Sequence, residues 1–257
     1  MPPFNPGKAL TAACLLLSAA ADASKIVFTG VTIEGQYAIP AGYGTVAMTD
    51  TTITASAGEG HGLEWAGSAA AVDVTLTNVE ATGDTGDGLN VANVVTAGSS
   101  LTVVGGKFSG TVRGVTLNTL TAVPVAISGA TIEGGSSDGL YATTITGGSS
   151  IACDKLAVTS AAGIINTAAV AVTVLKASTF SLTNSQASAA AAAGDGARFT
   201  LVDTGSSVSL DTVELWGGAA GGGGSESYGF LAVTFSDATL SLAKVKASGG
   251  DHGARVD

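Results

Sequence analysis

The sequence predicts an all-β protein, a right-handed parallel β-helix of about nine rungs. Three observations carry this. One pattern, apolar-x-apolar-x-x-apolar-x-apolar, recurs nine times along the chain. The residue before the second apolar pair is Gly30, Asp50, Asn78, Gly105, Gly129, Lys155, Asn184, Thr212 or Lys244, and six of these nine are Gly, Asn or Asp. Finally, the composition is thin: 12% charged, 5% aromatic, 46% hydrophobic and 37 glycines. Small apolar residues with frequent Gly suit stacked β-structure better than a thick globular core, and the profile is too apolar for disorder.

The first element is a leader. Lys8 precedes "ALTAACLLLSAA", and "ADAS" follows. A basic start, an apolar middle of ~7–15 residues and a small-residue cleavage site mark a secretory signal. Cleavage is expected after Ala23, giving residues 1–23 as leader and 24–257 as the mature chain. The run is too short to span a bilayer, which takes ~20 residues. Cys14 precedes most of it, which argues against a lipid anchor. One mature cysteine remains, Cys153, so no internal disulfide forms.

Each repeat then reads strand, bend, strand. The copies begin at Ile26, Val46, Val74, Leu101, Val125, Ile151, Phe180, Val208 and Leu240; of their 36 apolar positions only Thr51, Gly106 and Ser185 are not apolar. Residues two apart share a strand face. The jump of three would throw the second pair to the opposite face unless the chain bends, and Gly, Asn and Asp tolerate the left-handed backbone of such a bend.

A third strand follows a recurrent glycine: Gly62, Gly88, Gly114, Gly139, Gly163, Gly196, Gly229 and Gly253, stepping by 26, 26, 25, 24, 33, 33 and 24. The two long steps are assigned to "SQASAAAAAGDG" and "GGAAGGGG", placing loops at 187–195 and 217–227 on one flank. A unit of about 25 residues cannot bury its own apolar face, but stacked copies can. Rungs ~4.8 Å apart would give a rod of roughly 40 Å.

Outward positions follow. One column holds Thr32, Thr52, Glu80, Lys107, Thr131, Ala157, Gln186, Glu214 and Lys246, which sets Glu80 beside Lys107 and Glu214 beside Lys246. The other, Val27, Ala47, Thr75, Thr102, Ala126, Ala152, Ser181, Ser209 and Ser241, is uncharged. In the turns, Arg113 is expected between Asp87 and Asp138.

Chemistry is sparse. A glycosidase needs two carboxylates within ~5–10 Å, and Glu80 and Glu214 lie five rungs, ~24 Å, apart. Glu59 and Glu64 near His61 read as a solvated loop. "TGDTGDG", with Asp84 and Asp87, resembles one turn of a calcium roll but has no copy nine residues on. No cofactor motif appears, and no catalytic, cofactor or metal residue is assigned. Net charge −10 and scattered basic residues exclude nucleic acid as a partner. Partner contact is assigned to the second loop, at Trp216, Gly221 and Glu226; Trp216 either stacks on sugar or packs at a corner.

The stretches "VTLTNVEATGDTGDGLNV" (Val74–Val91) and "VAISGATIEGGSSDGLYA" (Val125–Ala142), with the leader, make the chain resemble the passenger region of pertactin-like autotransporters over residues 24–257. That resemblance implies a monomeric, secreted β-helix that passes the periplasm, is displayed at the bacterial outer-membrane surface by a C-terminal barrel, and acts in adhesion to a host or cell-surface protein or glycan. The sequence departs from the pattern: it has neither barrel strands nor Arg-Gly-Asp, and is expected to be the N-terminal part of a longer passenger or the product of a truncated gene. Three functions compete: a non-catalytic binding or adhesion module, a polysaccharide lyase or hydrolase, and a structural spacer. Fold alone does not choose. Sugar-array binding would separate the first from the third, and reducing-end release would reveal the second.

Overall fold

The computed structural model describes residues 10–11, 18–20, 23–40, 43–66, 71–161, 167–190, 194–219 and 226–257. These form a parallel β-solenoid with no helix, built of three sheets. The first sheet stacks the strands before each bend, from Ala23–Thr29 to Thr239–Ala243; the second stacks those after it, from Thr32–Glu34 to Lys246–Ser248; the third runs from Tyr37–Ile39 to His252–Val256. Each sheet holds nine parallel strands among the described residues, each pairing with its equivalent in the next coil. Most of the leader expected at 1–23 lies outside the described residues. Of the rest, Leu10–Thr11 pairs antiparallel with Thr32–Ile33, and Ser18–Ala20 with Ala23–Lys25.

The nine bends obey the sequence pattern. Every residue from Gly30 to Lys244 in that column has a left-handed φ, between 48° and 67°. That includes Lys155, Thr212 and Lys244, whose side chains offer no local reason to adopt it. The bend is always two residues long, as at 30–31 and 244–245. Both apolar pairs therefore face inward: Val46, Met48 and Ile53 are fully buried, as are Val208, Leu210, Val213 and Leu215. Phenylalanines stack up the interior, Phe180 on Phe199 at 5.2 Å and Phe199 on Phe230 at 5.8 Å. Cys153 sits between Ile127 and Leu182, and burial pushes its thiol up to about 12. In the last coil the same inward positions are open, with Leu242 48% exposed.

The polar exceptions in the apolar pattern have a purpose. At the Lys155–Leu156 bend the inward N–H is met by a side chain of the coil above. Ser185 Oγ accepts the N–H of Leu156 at 2.9 Å and donates to Thr183 O at 2.6 Å. Ser99 and Ser149 do the same for Val72 and Val123 at the corner joining the third sheet to the first. A buried N–H left without a partner costs ~1–3 kcal/mol, so these hydroxyls replace a missing ladder bond. Gly106, the third exception, has φ 88° and its Cα lies against the Val79 backbone, leaving no room for a side chain.

The glycine column needs one correction. Gly62, Gly88, Gly114, Gly139, Gly196, Gly229 and Gly253 occupy one position, but Ala169 completes the column between Gly139 and Gly196, because Leu140 pairs with Val170 and Val170 with Ala197. Gly163 lies outside the described residues. The extra length assigned wholly to "SQASAAAAAGDG" thus belongs largely to 161–167, between Ala157–Ser160 and Ala168–Lys176.

A candidate partner-binding flank

The corner between the second and third sheets carries a column of ionisable side chains. Its geometry starts from two close backbone approaches. A Cβ at Gly88 would lie 2.6 Å from Ser109 N, 2.8 Å from Gly114 O and 2.9 Å from Ala81 O. A few residues earlier, Gly83, Gly110, Gly134, Gly217 and Gly249 pack against the carbonyl of the residue that precedes the column glycine. The connection folds flat on the sheet edge, which throws the side chain of that preceding residue into a vertical column: His61, Asp87, Arg113, Asp138, Ala168, Asp195, Tyr228 and His252.

These side chains replace backbone ladder bonds. Asp87 Oδ1 accepts Arg113 N–H at 3.1 Å, Asp138 Oδ1 accepts Ala168 N–H at 2.8 Å, and Asp195 Oδ1 accepts Tyr228 N–H at 3.0 Å. His61 Nδ1 accepts Asp87 N–H at 3.0 Å. Its Nε2 lies 2.9 Å from the Asn90 side-chain amide, which holds the ring from its other side. The expected Arg113 ladder is half present. The guanidinium reaches Asp138 at 3.4 Å and covers the Tyr141 ring at 4.2 Å, while Asp87 takes the Arg113 main-chain N–H instead of its side chain. Asp195 is fully buried; burial raises its carboxyl above the ordinary range even though Arg198 pairs with it at 2.5 Å.

The carboxylates around His61 are structural too, with Glu64 on a strand of the third sheet instead of in a loop. Glu59 Oε2 accepts the N–H groups of Gln36 and Ser56, Glu64 accepts the Gln36 amide at 2.6 Å, and Asp84 accepts Gly58 N–H at 2.8 Å. Among the described residues, no group of three or more His, Cys, Asp and Glu is placed to hold a metal ion.

On the second sheet, Glu80 and Lys107 are strand partners, as are Glu214 and Lys246. Their charges do not pair as the sequence suggests. Lys107 reaches Glu133 in the coil above, at 2.8 Å, and the Lys246 ammonium lies 5.8 Å from the centre of the Trp216 ring. Both diagonals are open to an extended lysine, and both place the charge over a partner nearer the corner. Trp216 faces outward and is half-buried, outside the core. Glu226 is exposed and bonds Tyr228 and Arg255. Gly221 lies outside the described residues.

The sequence reading passed over a further outward column: Thr54, Thr82, Ser109, Glu133, Thr159, Ser188, Trp216 and Ser248, in register through the second sheet. Its signal is a residue just before the small residue of the corner, as in Thr82-Gly83, Ser109-Gly110, Glu133-Gly134 and Trp216-Gly217. A groove of about 340 Å³ runs beside it, lined by Thr82, Ser109, Thr111 and Glu133 over a floor of Gly83, Gly110 and Gly134. No protein-family model matches the chain, and neither does any curated protein or solved structure.

Proposed function

We propose that the chain is a secreted or surface-displayed rod that works by binding rather than catalysis, as the likeness to pertactin-like passengers implies, and that partners meet it on the flank between the second and third sheets. One observation supports this most. The bend between the first and second sheets is two residues long in every coil, whereas the connection from second to third sheet ranges from two residues (35–36) to eleven (217–227). A corner under packing constraint keeps its length; one that varies is free to carry recognition. The carboxylates of this flank hold backbone N–H groups, an arrangement suited to a rigid platform more than to proton transfer.

The test replaces 217–227 with Gly-Gly-Asp, the three-residue connection at 249–251, and measures attachment of protein-coated beads to epithelial cells and to a glycan array. Attachment by the parent and its loss in a folded variant is the expected result. Unchanged attachment would move the contact elsewhere. Release of reducing ends from polysaccharide, abolished by an Asp or Glu substitution, would replace binding with catalysis.

A further inference from the structure

Building on the binding reading, we propose that the second sheet's outer face is a track for a neutral, extended polysaccharide lying along the solenoid axis, with Trp216 as its aromatic platform. The residues concerned are Thr82, Ser109, Glu133, Thr159, Ser188 and Trp216, one per coil in unbroken register. Five coil steps of ~4.8 Å give a track of roughly 24 Å. Each step is close to the length of one hexose in an extended β-linked chain, so every coil can address one sugar with the same geometry.

The chemistry of the track selects the occupant. Hydroxyls both donate and accept, as sugar hydroxyls do. Thr82 Oγ1 and Ser109 Oγ bond only each other across 3.2 Å, leaving capacity on both. Glu133 adds a carboxylate acceptor, 42% exposed and held in place by Lys107. The groove lies against the lower half of this track and has a glycine floor, so a flat pyranose can approach the backbone there. At the upper end Trp216 presents a half-buried indole whose apolar face suits the C–H face of a sugar; Lys246 at 5.8 Å helps fix the ring.

Charge argues against an acidic polymer. The two outward columns of this sheet carry Glu34, Glu80, Glu133 and Glu214 against Lys107 and Lys246, and the whole chain stands at −10. A uronate chain or nucleic acid would meet net repulsion, whereas a neutral glycan is indifferent to it.

The probe is cellohexaose, titrated by calorimetry and by tryptophan emission. Trp65 is 2% exposed and serves as an unresponsive background. Saturable binding is expected, with cellobiose at least tenfold weaker because it covers too few coils, and pentagalacturonate weaker than cellohexaose. Trp216→Ala and Ser109→Arg should each weaken cellohexaose binding at least tenfold, with unchanged circular dichroism; both side chains face solvent, so the fold survives them. No binding at millimolar cellohexaose, equal binding by either variant, or tighter binding of pentagalacturonate would each overturn the track. Cell attachment that persists in Ser109→Arg but disappears when 217–227 is replaced would refute the track and leave the binding flank standing.

Discussion

Two glycines two coils apart should respond to the same substitution for different reasons. Gly129 sits in the bend column at φ 64°, and an added Cβ would have nothing nearer than Gly105 N at 3.8 Å. Gly129→Ala is therefore free of clash and bears only the left-handed backbone penalty, ~1–2 kcal/mol for a non-glycine residue. Restricting the unfolded chain returns ~0.4–1 kcal/mol, leaving a net loss of about 1 kcal/mol. Thr212, in the same column at φ 56°, should show the reverse. Thr212→Gly should stabilise by ~0.5–1 kcal/mol, since all it loses is an exposed hydroxyl bond to Asp211. Gly88→Ala meets three backbone atoms within 2.9 Å, belonging to its own coil and the next. Neither coil can yield without breaking ladder bonds, so the loss should exceed about 3 kcal/mol. Urea unfolding followed by far-ultraviolet circular dichroism reads all three. A neutral Gly129→Ala together with a destabilising Thr212→Gly would refute the left-handed bend; a mild Gly88→Ala would refute the close approach at the corner.

Three further outcomes follow from the buried polar groups. Ser185→Ala leaves Leu156 N–H without its acceptor and should cost ~1–3 kcal/mol in the same unfolding assay, whereas Ser181→Ala, on the outer face, should be near neutral. Burial pushes the Cys153 thiol up to about 12 in the fold, above its ordinary 9.0, so the folded state holds its proton while the unfolded state releases it. Stability from this group is full below pH 9 and falls as pH rises towards 12, by roughly 1 kcal/mol at pH 10. Cys153→Ala should remove that part of the alkaline slope, and native Cys153 should resist thiol reagents at pH 8. Arg113→Asp should cost ~0.5–1.5 kcal/mol at low salt and recover as salt is added. Double-mutant cycles should couple Arg113 to Asp138 and not to Asp87, which bonds the Arg113 main chain.

The fold was legible because its determinants are local. A bend every coil needs one residue that accepts positive φ, and the apolar pairs on either side of it read directly as an interior face. Lys155, Thr212 and Lys244 were legible only from their place in the column, since nothing in those side chains favours the conformation. What escaped the sequence depends on neighbours one coil away. Ser185 looks like a flaw in an apolar pattern until Leu156 N–H is placed beneath it. Lys107 was set on Glu80 by adjacency, yet its long side chain crosses to Glu133. Gly163 offered a convenient landmark, but strand pairing gives that position to Ala169, because a seven-residue connection had lengthened the coil without changing its letters. Of the residues assigned to partner contact, Trp216 and Glu226 lie at the surface of the same flank, and the Thr82-to-Trp216 column was missed because it ends each second strand instead of lying between paired apolar positions.

Every site described depends on one lattice: successive repeats one strand spacing apart, in unbroken register. Spin labels at outward positions of the first sheet measure it directly. With Cys14 and Cys153 replaced by Ala, label pairs at Ala47 with Thr102, Ala152 and Ser209 span two, four and six coils. Distances from electron double resonance should rise linearly by ~4.8 Å per coil, to roughly 29 Å for Ala47 with Ser209. Distances that fail to grow with coil number, or that grow by a different step, would contradict the stacked solenoid and every column read from it.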